Sequence, residues 1–306
     1  MGKYILRRLL LGVVTLFVLA TITFFLMHAI PDSLFAGETS KLSVSIRESV
    51  TEFYGLNEPL HIQYIKYLGN ALRGDFGTSL SHNGRAVSDI IKLGIANSAR
   101  LGAVAFCIAM ILGTILGTVA AFSNHKWVKN LMAFTATIGA SVPSFLLALL
   151  MSLLFGVILR WLPIVGLSTW RHYIIPSLAL AMAPIAMISR LTRTSFTDVL
   201  KQDYMILAKS KGTSRMTLLL RHGLKNAIVP VATYAGPLLA SLLTGSFVIE
   251  MLFSIPGLGA EFVTSVANRD YTMIMALILS YGSFFILCNL VTDVITAALD
   301  PRVRLK

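Results

Sequence analysis

Lys209, Lys211, Arg215 and Arg221 stand among apolar side chains in residues 203–230, and they set the kind of chemistry this chain is equipped for. Cations on some faces of a segment and apolar side chains on another make a docking element, not a reaction centre. Asp203 is placed to cap a short helix, and Gly212 to stand just beyond its end. Between them Tyr204, Leu207 and Ala208 fall on one face. Thr213 or Ser214 can cap a second short helix with the apolar face Met216, Leu219 and Leu220, ended by Gly223. Helices this short are marginal in water and need a surface to pack on. Anionic lipid or a groove on a cytoplasmic protein would each provide one.

The other reactive residue types form no constellation. Cys107 and Cys288 lie inside apolar runs and read as neither metal ligands nor a disulfide pair. His28, His61, His82, His125, His172 and His222 fall in loops or at helix ends. With no Gly-x-Ser-x-Gly or His-Glu-x-x-His pattern, no membrane hydrolase is legible. No Gly-x4-Gly-Lys-Ser/Thr phosphate loop occurs, and Gly257 and Gly259 have no lysine after them, so the chain is not expected to bind ATP. Asp293 is the one acid expected well inside an apolar run, which makes it a functional candidate. It also lies roughly 10 Å from the inner boundary at 1.5 Å per residue, where pairing with Arg302 or Arg304 would explain it. A proton relay would need a second intramembrane carboxylate.

The elements that position these residues follow from composition. The chain is 56% hydrophobic and 13% charged, about half the charge of a soluble domain. Six apolar runs, at about 9–30, 99–122, 131–159, 174–188, 227–249 and 272–299, place it in the bilayer. They are too long and too continuously apolar for barrel strands, so an all-α polytopic membrane protein of about six transmembrane helices is expected. Lys3, Arg7 and Arg8 ahead of the first run imitate a signal peptide, but the run is too long and no Ala-x-Ala site follows, so it reads as an uncleaved span.

The net charge of +12 sets orientation and does not point to nucleic acid. The amino terminus, residues 123–130, the 190–226 loop and the tail are rich in Lys and Arg with few acids, while the opposite side is balanced. The basic side is therefore read as cytoplasmic, with both termini inside. Residues 1–30 form the tail and first span, 31–98 an extracytoplasmic segment, 99–300 a five-helix core that includes the 190–226 loop, and 301–306 a cytoplasmic tail. In the outer segment Ile46, Val50 and Phe53, then Ile62, Ile65, Leu68 and Leu72, have helical spacing and predict short surface helices.

Within the core, Ala105, Ala109, Gly113, Gly117 and Ala121 line one helix face and predict close packing, within the chain or along a pore or subunit interface. Pro143, Pro176, Pro184, Pro230 and Pro237 stand at membrane depth, where bent helices often border a pathway.

The 203–230 segment resembles the coupling loop of binding-protein-dependent ABC importer permeases. Ile206-Leu207-Ala208 and Gly212 match their Glu-Ala-Ala-x3-Gly type motif, although the leading Glu and first Ala are absent. Arg221-His222-Gly223-Leu224-Lys225-Asn226-Ala227-x2-Pro230 is similar to the peptide and nickel branch. So, in order, are Tyr54-Gly-Leu-Asn-Glu-Pro-Leu60, Arg73-Gly-Asp-Phe-Gly-Thr-Ser79, Ser141-Val-Pro-Ser-Phe145 and Trp161-Leu-Pro-Ile-Val-Gly166. Ser189-Arg-Leu-Thr-Arg-Thr-Ser195, Glu250-Met-Leu-Phe-Ser-Ile-Pro-Gly-Leu-Gly259, Asn268-Arg-Asp-Tyr271 and Leu299-Asp-Pro-Arg302 complete the series. The chain is most similar to the B-type permeases of oligopeptide or dipeptide importers.

That resemblance implies a type I importer permease fold in a bacterial cytoplasmic membrane. It implies a second homologous permease, one or two ABC ATPase subunits that carry the ATP and magnesium, and an extracytoplasmic peptide-binding protein. The ATPase-coupling residues would be Tyr204, Leu207, Ala208, Lys211, Gly212, Arg215, Arg221 and His222. The substrate pathway, chosen on polar and kinked positions, would pass Ser141, Pro143, Ser144, Ser241 and Thr244. The alternatives are a nickel or other small-solute importer permease, and a secondary transporter driven by an ion gradient, which would need intramembrane charge pairs.

Overall fold

The computed structural model describes residues 2–30, 48, 51–123, 125–214, 217–218 and 223–299. Its named α-helices are α1 (Gly2–Ala29), α2 (Leu60–Arg73), α3 (Val87–Phe122), α4 (Lys126–Ser141), α5 (Ser144–Met151) and α6 (Ile174–Leu200). They continue as α7 (Asp203–Ser210), α8 (Leu224–Ala227), α9 (Val229–Leu243), α10 (Phe247–Leu252), α11 (Leu258–Ala267) and α12 (Tyr271–Leu299). Among the described residues the only strand-like pairing is an isolated bridge between Thr78 and Ala86.

Among the described residues five stretches are long and apolar enough to cross a bilayer: Ile5–Ala29, Val87–Phe122, Trp170–Leu200, Val229–Leu252 and Tyr271–Val294. The sixth expected span, the run at 131–159, is not one rod. Lys126–Gly139 and Ser144–Ile158 meet at 103°. Pro143 has no amide hydrogen and drives Val142 out of the helical region, to φ −90°, ψ 125°, which ends α4. The Pro143 carbonyl then accepts from the Leu146 and Leu147 amides and starts α5. Pro184 and Pro237 stand inside α6 and α9, and Pro230 falls in the first turn of α9.

The α3–α6 seam is the centre of the bundle. Ala105, Ala109, Gly113 and Gly117 are buried on it. A Cβ on Gly113 would stand 2.7 Å from Ile188 Cβ, and one on Gly117 2.5 Å from the Ser189 carbonyl. The small-residue stripe is therefore an internal packing surface, with Ala121 continuing it against the Phe196 cluster. α9 crosses the same helix, with the Leu242 backbone against Gly102.

α1 lies along α12, where Gly12 meets Ile286 and Gly282 meets Leu19. Their pairing gives Asp293 a partner: its carboxylate is 3.0 Å from the Arg8 guanidinium, 285 residues away in sequence (293 − 8). The tail itself lies outside the described residues. α2 forms where the spacing expects a helix, but only part of the expected apolar face packs inward, Leu68 against the core. Gln63 and Tyr67 are buried, while Ile65 and Leu72 are 66% and 90% exposed. The cause is tertiary: Phe24 of α1 stacks on Tyr67, and His28 Nε2 meets Gln63 Oε1 at 3.0 Å.

Candidate coupling segment and outer bracket

After α6 the chain turns through Lys201 and Gln202 into α7. Asp203 is the first helical residue and not the cap: Gln202 holds the extended cap position, with no side-chain bond. The Asp203 carboxylate still sits in the first turn, where the helix dipole favours an anion. Met205 is the anchor of α7, buried with Phe196, Val199, Leu218 and Ala227. Ala208 packs half-buried beside them. Tyr204 and Leu207 therefore do not share a buried face with Ala208. Both point outward, as does Ile206, and Ile206 and Leu207 are 54% and 57% exposed. The Tyr204 hydroxyl accepts from Asn226 Nδ2 at 2.8 Å, which ties α7 to α8.

Gly212 ends α7 as the spacing predicts. Its φ is +77°, a left-handed conformation suited to glycine. Its amide donates to the Lys209 carbonyl at 3.0 Å, and the Thr213 amide to the Ala208 carbonyl at 3.2 Å, so the last carbonyls of the helix are satisfied. Among the described residues nothing lies within 4 Å of where a Gly212 side chain would begin. With Lys209 and Lys211 exposed beside it, this end of α7 presents cations, apolar side chains and bare backbone together.

Ser214 then starts a second turn: its hydroxyl accepts from the Thr217 amide at 3.3 Å, and its carbonyl from the Leu218 amide at 2.9 Å. Arg215, Arg221 and His222, with Met216, Leu219 and Leu220, lie outside the described residues. Gly223 does not end a helix in the left-handed region. It is helical, at φ −87°, and a Cβ there would stand 3.0 Å from the Phe196 ring, so it serves close approach.

The pathway candidates occupy two places. Ser141, Pro143 and Ser144 stand at the α4–α5 break, and Ser241 and Thr244 at the end of α9. The Ser241 hydroxyl donates to the Leu238 carbonyl at 2.8 Å, and the Thr244 hydroxyl to its own helix at 3.0 Å, so what each has left is acceptor capacity. Thr244 borders an apolar cavity of about 440 Å³ lined by Leu19, Phe247, Phe262 and Tyr281.

Two acids that sequence reading left among the outer charges are fully buried. Glu250 in α10 accepts from the Ser98 hydroxyl at 2.7 Å and from the Ala260 amide at 3.0 Å. Ser98 also accepts from the Leu258 amide at 2.8 Å, and Asn97 donates to the Pro256 carbonyl at 2.9 Å. Gly245, Gly257 and Gly259 crowd the carboxylate so closely that side chains there would strike it. Adjacent polar residues of α3 thus hold the 253–260 turn, Asn97 and Ser98 directly and Ser98 also by way of Glu250. The glycine-rich sequence was the available signal, since it leaves room for a buried group, but it did not identify that group.

Asp270 pins the turn at Ser79 and Ser81 to the start of α12. Its carboxylate accepts from the Ser79 hydroxyl at 2.5 Å, the Ser81 amide at 3.0 Å and hydroxyl at 2.8 Å, the Thr272 hydroxyl at 2.8 Å and the Met273 amide at 3.1 Å. Burial pushes this carboxyl up, but the hydrogen bonds from Ser79, Ser81 and Thr272 outweigh it and hold Asp270 below the usual aspartate value. Nearby, His82 Nε2 is 3.6 Å from Glu261, whose carboxyl burial pushes up against the pull of His82.

The sign for Asp270 follows from linkage. A depressed folded-state value means the folded chain binds fewer protons, so the stabilisation is full above about pH 4 and is lost as pH falls through the folded value. Asp270→Asn is expected to cost roughly 2–4 kcal/mol at neutral pH, because its amide turns a donor toward the serines. It should also flatten the acid limb of a thermal-unfolding series, which is the measurement that checks it.

Residues 113–305 match the family described as binding-protein-dependent transport system inner membrane component, and residues 1–86 match its N-terminal companion. The chain is 39% identical over 305 residues to a dipeptide transport system permease, DppB, of Lactococcus lactis, with 100% of both chains covered. It is 40% identical over 307 residues to the oligopeptide transport system permease OppB of Escherichia coli K12, covering 99% of this chain and 100% of that one. It is 41% identical over 309 residues to a glutathione transport system permease, GsiC, of Escherichia coli, with full coverage of both. The fold matches a solved inward-facing structure of the MetNI methionine ABC transporter at TM-score 0.55 and 16% identity, over 69% of this chain and 96% of that one.

Proposed function

This chain belongs to the family of binding-protein-dependent transport system inner membrane components, the permease subunits of ABC importers, and we propose that it forms a pathway for oligopeptides or dipeptides with a second homologous permease. The observation that carries the coupling half of this reading is α7. Met205 fixes it to the bundle, while Tyr204, Ile206, Leu207, Lys209, Lys211 and the bare Gly212 backbone face away. An apolar and cationic knob on a rigid anchor suits a groove on an ATPase subunit. Tyr204, Leu207, Ala208, Lys211, Gly212, Arg215, Arg221 and His222 are the coupling set of this proposal.

ATP and magnesium belong to the partner ATPases, and closure of those subunits moves α7 relative to the bundle. The segment must bind its partner differently in the two states for that motion to be driven. The arginine-rich ends and both termini face the cytoplasm in this reading. An extracytoplasmic binding protein delivers the cargo near the outer bracket. Ser141, Pro143, Ser144, Ser241 and Thr244 border the pathway. Peptide cargo rests on the names of the relatives, with glutathione itself a tripeptide.

The test is uptake of a labelled tripeptide into proteoliposomes that hold the chain with its co-purifying proteins and the binding protein. ATP inside the reaction should be required for accumulation. Accumulation driven by an ion gradient without ATP would replace this reading with a secondary transporter.

A further inference from the structure

One end of the α3–α6 seam holds a second cavity, of about 130 Å³, between Ala120 of α3, Ala133 and Ala136 of α4, and Ser189, Arg190 and Arg193 of α6. Its three alanines leave the space and its two arginines supply the charge. Among the described residues neither guanidinium has a carboxylate within ion-pair distance. Thr137 also borders the cavity, but its hydroxyl proton goes to the Ala133 carbonyl at 2.8 Å. The donors free to turn inward are therefore the arginines and the Ser189 hydroxyl.

Depth fixes the setting. Arg190 and Arg193 stand 16 and 19 residues beyond Ile174, the first residue of α6. At 1.5 Å per residue that is roughly 24 and 28 Å, against a hydrocarbon core of about 30 Å. The cavity thus lies at the far interface from Ile174, the cytoplasmic one in the orientation proposed above, on which this inference rests. On α4 the neighbouring Trp127, Leu131 and Phe134 are exposed, as on a helix that faces lipid with a tryptophan at the headgroup level. A basic pocket between helices at that level matches a phosphate in charge and in the forked geometry of guanidinium donors.

We infer that this cavity binds the phosphate of an anionic phospholipid headgroup from the inner leaflet, held by Arg190 and Arg193. Ala133 and Ala136 keep the space open.

The test uses the full chain with its co-purifying proteins, stripped of lipid and titrated with phosphatidylglycerol or phosphatidylethanolamine, with retained lipid read by native mass spectrometry. Wild type should retain phosphatidylglycerol about tenfold better than phosphatidylethanolamine, and Arg190→Gln with Arg193→Gln should erase the preference. Ala136→Leu, which fills the cavity and keeps both charges, should erase it too. Undiminished preference in the double variant overturns the inference. Displacement of the lipid by inorganic phosphate at equal concentration would make a free anion the occupant and overturn the lipid assignment. Loss of ATPase co-purification in the double variant, with lipid retention unchanged, would make a partner's acidic group the occupant. Lipid retention is read without transport, so failure of this inference and failure of the importer reading are separable.

Discussion

Gly212→Val is expected to abolish ATP-driven uptake while the membrane bundle stays folded. Gly212 sits at φ +77°, and among the described residues nothing lies within 4 Å of where its side chain would begin, so none of them collides with a new one. The local cost is the left-handed backbone, about 1–2 kcal/mol for an ordinary residue and more for a β-branched one. That is enough to unwind the last turn of α7 and shift Lys209 and Lys211, but not to unfold helices anchored at Met205 and along α3. ATPase co-purification should fall by at least tenfold, with the thermal midpoint of the purified chain nearly unchanged. Gly212→Asn is the control: asparagine tolerates the left-handed region and should keep most of the uptake. Normal uptake and normal ATPase recovery in Gly212→Val would remove α7 from the coupling role.

The second large effect is expected at Glu250. Glu250→Ala leaves the Ser98 hydroxyl and the Ala260 amide without their acceptor in a buried place. Orphaned buried donors cost about 1–3 kcal/mol each, so a loss of roughly 2–6 kcal/mol is expected, with the 253–260 turn loosened and left on α3 by the direct Ser98 and Asn97 bonds alone. Glu250→Gln keeps an oxygen for one donor and should cost less than half as much. Thermal unfolding in detergent checks both, and limited proteolysis at the 253–260 turn should rise in Glu250→Ala alone. Equal stability of Glu250→Ala and wild type would show that the bracket does not hold this turn.

These two sites differ in how they could be read from sequence. Gly212 was legible because a helix end is local chemistry: cations, then glycine, then a hydroxyl residue to begin again. The apolar runs were legible for the same reason, since crossing a bilayer demands one continuous stretch. Glu250 was not legible, because its burial depends on Ser98, 152 residues earlier in the chain. At the end of an apolar run it resembled one more interfacial charge.

The face of α2 was legible only in part, for a related reason. Helical spacing chose Ile62, Ile65, Leu68 and Leu72, of which Leu68 packs on the core; α1 offers aromatic rings and a histidine, so Tyr67 and Gln63 are the residues buried. Asp293 stands inside an apolar run and needs a partner; Arg8 of α1, far away in sequence, supplies one. The break at Pro143 was visible as a residue, while its 103° angle required the extended backbone at Val142.

The most direct measurement of the central claim is affinity purification of this chain from its native membrane in mild detergent, with mass spectrometry of what accompanies it. The account predicts a second, homologous permease and one or two ATPase subunits in stoichiometric yield. Recovery of this chain alone, or only as a homo-oligomer with no ATPase, would contradict it.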